Sequence, residues 1–287
     1  MPRCLVVFDI DGVLCWMMNN HSANLYQFTM IHPECPLIIY STADTSYPHC
    51  FAPYLDVLME YLISFGSRIV FFSAGHRIRN NDLIKRLLIQ LFGNDHYEEL
   101  KLAGQFEIFS AHQMRAANHE LGEVGSYVKD LSVVLKDQEE IANSILIEDQ
   151  PNNAAHDQKP CIMVDLKTWD MLLPNNLEQC FAKNNVYYLL GIFSNYFNLS
   201  GDLPPLRLWI EDFFKEKVSN GYFWGKFYMP QKDDQFVVDM IDRGLEEVRK
   251  HHSNAIPYGS LDNSSSDDEY AFGRSPPRRT YGIRPGV

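Results

Sequence analysis

At 287 residues, the chain has room for one large domain with an appendage or for two modest domains. A hydrophobic fraction of 46% and an aromatic fraction of 13% belong to a filled core and exclude a wholly disordered chain. The net charge of −12 argues against a broad electrostatic grip on nucleic acid, so no nucleic-acid partner is expected. Five short, continuous apolar runs read as buried parallel strands: residues 4–8, 68–72, 106–109, 144–147 and 161–164. Between the first two lie some forty residues, too many for a plain connection. There Cys35-Pro-Leu-Ile-Ile-Tyr-Ser-Thr reads as a strand of a small flap inserted at about residues 15–50, with Trp16, Met17 and Met18 packing beneath it. Pro53 suits a first helical turn, and Leu55, Leu58, Leu62 and Phe65 recur at helical spacing before Gly66. Asn80 is the expected cap of a second helix, whose Leu83, Leu87, Leu88 and Leu91 form one stripe before Gly93. Strands alternating with helices imply right-handed crossovers, hence an α/β fold with a doubly wound parallel sheet.

After about residue 195 the pattern changes. Pro204-Pro205 opens a helix carrying Leu206, Trp209, Ile210, Phe213 and Phe214, and Phe236, Met240, Ile241, Leu245 and Val248 mark another. These make residues 196–250 a helical extension, and residues 251–287, rich in Ser, Asp, Gly, Pro and Arg, a tail expected to be disordered. On this reading a fragment ending before Leu203 keeps the whole α/β domain, residues 1–195. The amphipathic helices are expected to pack on the preceding α/β domain, with a protein partner or a membrane surface as the alternative. The six cysteines (Cys4, Cys15, Cys35, Cys50, Cys161, Cys180) form no Cys-x-x-Cys pair, so neither disulfides nor a zinc site is expected. The N-terminal apolar run is too short for a signal peptide, and no stretch approaches about 18 uncharged apolar residues. The expected location is the cytoplasm, with export by a route lacking a cleaved signal, for example into a host cell, left open.

Four segments carry chemistry. The first strand runs into Phe8-Asp9-Ile10-Asp11-Gly12, placing two carboxylates where open α/β sheets bind ligands, at a strand's carboxyl end. Their spacing on a bend lets one attack while the other reaches the leaving group, and Gly12 permits a sharp turn close to an ion or ligand. A solvated Asp-x-Asp-Gly turn is the bland alternative. The second strand ends Phe72-Ser73-Ala74-Gly75, a hydroxyl beside helix-start amides that suits a phosphate. Val128-Lys129-Asp130-Leu131 supplies a cation, and Ile147-Glu148-Asp149-Gln150-Pro151 puts adjacent acids after an apolar strand, where a hard cation accounts for them.

In this order the segments resemble the haloacid dehalogenase superfamily, and Val128–Leu131 together with Glu148–Pro151 resemble its phosphoprotein branch. That branch includes phosphatases of the RNA polymerase II tail and effector phosphatases of intracellular bacteria. Gly12-Val13 stands where many of its members have Glu-Thr, and Glu148 replaces a usual Asp. The resemblance implies that Asp9 is the nucleophile and forms an aspartyl-phosphate, while Asp11 protonates the leaving oxygen and then activates water. It implies that Ser73 and Lys129 hold the phosphoryl oxygens, with Lys136 as the fallback cation. Magnesium is expected on Asp9, Asp149 and the Asp11 backbone carbonyl, with Glu148 in a supporting or water-mediated contact. A phosphoprotein is the expected substrate and a small phosphate ester the alternative. A catalytically silent binding scaffold is the rival of another class. A dehalogenase would need neither Asp11 nor Asp149, and no cysteine precedes an arginine by six residues, as a thiol phosphatase requires. His76, Arg77 and Arg79 follow Ser73 and either read acidic residues that flank a phosphosite or form a solvated loop, the sequence favouring neither.

Overall fold

The computed structural model describes residues 4–17, 35–121, 123, 125–136, 139–158, 161–163, 179–217, 223–224, 227–228 and 235–255. Strands β1 (Leu5–Phe8), β5 (Arg68–Phe72), β6 (Phe106–Phe109), β9 (Ser144–Glu148) and β10 (Cys161–Met163) arise from the five apolar runs and pair in parallel. Val164, expected to end the last run, lies outside the described residues. Two short strands, β11 (Phe223–Trp224) and β12 (Phe227–Tyr228), extend the sheet beyond β10, giving the order β11-β12-β10-β9-β1-β5-β6. From β1 the chain winds outward through β5 to β6, then returns to the other side of β1 as β9 and β10. That reversal opens a crevice at the carboxyl ends of β1, β5 and β9.

The sheet is apolar on both faces, as continuous rather than alternating strands demand. Val6, Phe8, Ile69, Phe71, Ile145 and Ile147 join one cluster with helices α1 (Leu55–Ser64), α2 (Arg77–Phe92) and α3 (Asn94–Leu102). Leu5, Val7, Val70, Phe72 and Leu146 join another with Leu131, Val134 and Ala154. The second face is thus covered, among the described residues, by short 3-10 turns between β6 and β10.

Several local expectations change. Helix α1 starts after Tyr54, which sits at φ 61°, so Pro53 precedes the first turn. Helix α2 starts at Arg77 behind a His76 cap, and Asn80 lies inside it, fully buried. Its carboxamide donates to Gly75 O at 3.1 Å and to Ser110 Oγ at 3.1 Å, a tertiary brace rather than a cap. The flap segment forms an antiparallel sheet of β2 (Cys15–Met17), β4 (Ser46–Phe51) and β3 (Leu37–Ser41). Trp16 packs against the core, whereas Met17 is exposed; Met18 and residues 19–34 lie outside the described residues. Cys4, Cys15, Cys35 and Cys50 are buried and not joined in disulfides.

Beyond the crossovers, α4 (Gln179–Phe197), α5 (Leu206–Lys217) and α6 (Gln235–Arg249) belong to the same cluster as β1 and α1. The line drawn at residue 195 falls inside α4. Tyr196 donates to Pro204 O at 2.7 Å and lies beside Trp209, while Leu206 N donates to Asn143 Oδ1 before β9. Helices α4 and α6 approach until a Cβ on Gly191 would stand 2.0 Å from Met240 O, and one on Gly244 1.7 Å from Tyr187 O. No helix among the described residues is long and apolar enough to cross a membrane, and residues 256–287, the expected tail, lie outside them.

Because backbone stands opposite each glycine, Gly244→Ala is expected to cost about 2 kcal/mol or more through overpacking. Thermal unfolding checks this, and a variant as stable as its parent would show that the helices do not pack so closely. A fragment ending before Leu203 is expected to aggregate, since it strips α5 and α6 from the shared core. A soluble, active fragment would restore the boundary at residue 195.

Candidate active site

All six carboxylate, hydroxyl and ammonium groups picked from sequence meet at the carboxyl ends of the central strands. Asp9 follows β1 directly, its backbone N–H still donating to Ile147 O at 2.9 Å. Gly12 makes the turn behind it at φ 82°, and a Cβ there would stand 2.4 Å from Asp149 Oδ2. That close approach is what the glycine provides. Ser73 follows β5; its Oγ accepts from Gly75 N at 3.0 Å and donates to Asp11 Oδ2 at 3.2 Å.

Lys129 is wholly buried, with its Nζ 2.8 Å from Asp9 Oδ1 and 2.7 Å from Glu148 Oε2. An ammonium removed from water is tolerable only with such partners. Burial works against its charge, yet Asp9 and Glu148 outweigh that and hold its pKa above the usual lysine value. Glu148 Oε1 accepts from Gln150 N and Asn153 Nδ2, both at 3.1 Å, so both of its oxygens are engaged by nitrogen donors. The fallback Lys136 is elsewhere, paired with Glu107 at 2.8 Å, and plays no part in this cluster.

Asp9, Glu148 and Asp149 bring carboxylate oxygens within 4.8 Å of one another. Burial pushes Asp9 well above the ordinary carboxylate range, Lys129 opposing and Glu148 adding. Burial also raises Asp149, and Asp9 adds to it. Three carboxylates thus face one ammonium, an imbalance that a divalent oxygen-liganded cation would remove, and Gly12 leaves its neighbour Asp149 room to bind one.

Asp11 faces a different group. Arg79 grips its carboxylate with both terminal nitrogens, Nη1 donating to Oδ2 at 2.7 Å and Nη2 to Oδ1. Burial raises Asp11, but the hydrogen bonds and charge of Arg79 outweigh it and bring the pKa below the usual value. The sequence left Arg79 between a substrate's flank and a solvated loop, neither of which is this contact, and it gave no sign of His49. His49, buried on β4, places Nε2 3.0 Å from Arg79 Nη2. No local signal joins residues 11, 49 and 79; only the folded flap does.

The loop presenting Lys129 is itself pinned. Strands β7 (Arg115–Ala116) and β8 (Tyr127–Val128) pair, and Lys129 N donates to Asn153 O at 2.6 Å. Arg115 spans Glu123 at 2.7 Å and Asp130 at 2.9 Å, while Asn118 N and His156 N donate to the same Glu123 carboxylate. The hydrogen bond from Arg115 is the main cause that holds Glu123 near a pKa of about 2, against 4.5 ordinarily. A depressed folded pKa adds stability above the unfolded value, lost as pH falls through the folded one. Glu123→Gln is therefore expected to be less stable than the parent at neutral pH, the gap closing between about 4.5 and about 2. Thermal unfolding of both proteins across that range checks it, and a pH-independent gap would remove the electrostatic account.

The family model of NLI interacting factor-like phosphatases matches residues 4–176, more than half of the chain and every segment of this site. Comparison with curated proteins gives no match. Among solved structures, the fission yeast RNA polymerase II CTD phosphatase Fcp1 bound to beryllium fluoride aligns with 90% of this chain and 68% of its own. The identity is 9% and the TM-score 0.38. A second structure of Fcp1, an essential RNA polymerase II CTD phosphatase, aligns over the same shares at 9% identity and a TM-score of 0.40. Similarity at that level carries no argument, so the assignment rests on the sequence family. The chain belongs to the NLI interacting factor-like phosphatases and is a phosphatase of the haloacid dehalogenase type.

Proposed function

We propose that this phosphatase hydrolyses phosphate monoesters through an aspartyl-phosphate on Asp9, with magnesium as cofactor. The observation that carries the reading is the buried Lys129 ammonium clasped to Asp9 Oδ1, beside the carboxylates of Glu148 and Asp149. In the first step Asp9 attacks phosphorus with the oxygen that Lys129 does not hold. The P–O bond to the leaving group breaks, and Asp11, protonated and turned out of the Arg79 fork for this step, gives that oxygen its proton. In the second, the Asp11 carboxylate takes a proton from water as the water oxygen bonds to phosphorus. The Asp9–phosphorus bond breaks, releasing inorganic phosphate and restoring both aspartates. Lys129 and Ser73 bind phosphoryl oxygens, for which fixed charge and position supply most of the catalysis. Magnesium would be held by Asp9, Asp149 and the Asp11 backbone carbonyl, with Glu148 fixing Lys129 from behind, and would neutralise charge on the phosphoryl group.

A phosphoprotein is the substrate class we favour. The described part of the flap is a small three-stranded sheet, and the Asp11 side chain is 44% exposed, so a phosphorylated side chain on a macromolecule has a way in. The small-ester reading shares the same chemistry, and a panel of phosphopeptides and phosphometabolites separates the two.

Hydrolysis of an aryl phosphate is expected to stop with EDTA and return with added magnesium; full activity in chelator would remove the metal assignment. Asp9→Asn is expected to abolish turnover and leave no phosphoenzyme. Asp11→Asn is expected to trap one, because an aryl oxide leaves with little proton donation while the hydrolytic step lacks its base. Intact mass after acid quenching reads the adduct, and turnover at the parent's rate in Asp9→Asn would sink the nucleophile.

A further inference from the structure

The grip of Arg79 on Asp11 is more elaborate than a surface ion pair, most of which contribute only about 0–1 kcal/mol. The Arg79 side chain is 17% exposed, and its terminal nitrogens meet acceptors on three separate elements. Besides the two Asp11 oxygens, Nη1 donates to Asn80 Oδ1 at 3.1 Å, and Nη2 lies 3.0 Å from His49 Nε2. His49 Nδ1 lies 2.9 Å from Tyr47 O. The tautomer that satisfies both contacts carries its proton on Nδ1 and turns the Nε2 lone pair toward Arg79. Asn80 is fixed in turn by Gly75 O and Ser110 Oγ. A Cβ on Gly75 would stand 2.7 Å from Arg79 Nη1, so the absence of a side chain there is what admits the guanidinium.

We propose that Arg79 is a positioning residue for the second half of the reaction. Its guanidinium, anchored by Asn80 and by His49 of the flap, holds the Asp11 carboxylate beside Ser73, where it takes the proton from the attacking water. This rests on the reading of Asp11 as that base. The bidentate fork holds the ionised carboxylate, the form in which Asp11 accepts a proton. The Ser73 hydroxyl donates its single proton to Asp11 Oδ2 in the free protein and to a phosphoryl oxygen once one is bound, so the fork is then what keeps Asp11 in place. A carboxylate on two free torsions spends most of its time elsewhere, and misplacement by about 1 Å can cost on the order of 10²-fold. Asp11 must turn one oxygen out of the fork to act, and its exposure leaves it space to do so. Arg79 touches no reacting atom in this scheme; it acts through Asp11.

The test is pre-steady-state hydrolysis of an activated aryl phosphate by full-length Arg79→Ala, with magnesium present. The expected result is a burst of aryl oxide equal to the folded enzyme, then a steady rate lower by about 10²-fold. KM should fall with kcat, so that kcat/KM changes far less than kcat, and acid quenching should show phosphoenzyme. Added guanidinium chloride should restore part of the slow rate where the same concentration of sodium chloride does not. If the variant loses its fold by thermal unfolding, Arg79→Lys, which keeps the charge but not the fork, takes its place with the same expected pattern. Loss of kcat/KM without burst or adduct would overturn the proposal and make Arg79 a substrate-binding residue; an unchanged kcat would overturn it too. Asp11→Asn runs alongside. If Asp11→Asn traps phosphoenzyme and Arg79→Ala does not, only this inference fails. If neither traps it, the assignment of Asp11 as the base fails with it.

Discussion

One buried ammonium organises this protein. Lys129 sits at zero exposure between Asp9 and Glu148, and the sheet's central strands deliver both carboxylates to it. Stranding either charge in such a place by deleting its partner costs about 3–5 kcal/mol, so the segment that carries the lysine has to arrive in register. Much of the irregular chain between β6 and β10 serves that need. Arg115 ties Glu123 to Asp130, Gln158 Oε1 accepts from Leu131 N, and the Lys129 backbone bridges to Asn153 and Ala155. Leu131, Val134 and Ala154 then close the second face of the sheet with few atoms. What looks like a poorly structured stretch is a scaffold for one side chain.

Asp11, the acid–base group of the proposed mechanism, belongs to a second, separate system. Asp11 lies two residues past Asp9, yet its partners come from α2 and the flap rather than from the sheet. One aspartate is thereby held by a cation within the core, the other by a cation at the mouth. Burial raises the first and Arg79 lowers the second, the reverse of the order a nucleophile and a proton donor need, and a divalent cation beside Asp9 is the charge that would bring the first back down. The flap takes part in this second system, since His49 reaches through Arg79 to Asp11.

The C-terminal helices complete the core. With α4 and α6 packed backbone to backbone at Gly191 and Gly244, and α5 tied to the turn before β9, they brace the strand that ends in Glu148. Their amphipathic stripes are spent on this packing: Phe236, Met240, Ile241, Leu245 and Val248 are all buried.

The sequence by itself determined five strands of the sheet and which polar groups stand at their ends. Five continuous apolar runs read as strands buried on both faces, and each of Asp9, Ser73 and Glu148-Asp149 sits directly after one, so strand ends and candidate site groups were read together. Lys129 was legible from its company rather than its position, because a phosphoryl site needs a fixed cation. Only the tertiary structure decided what depends on contact across distant segments. Arg79 and Asp11 are 68 residues apart, and neither helical periodicity nor strand alternation encodes their meeting. Asn80 has the chemistry of a cap, but a buried carboxamide gains more from bracing Gly75 and Ser110 than from a helix end that His76 already occupies. The boundary at residue 195 followed a change in composition, whereas the fold follows burial, and α4 runs through it because its apolar face continues into α5 and α6. Local pattern fixes which face of each element is apolar; which partner covers that face is settled only when all of them compete for the same core.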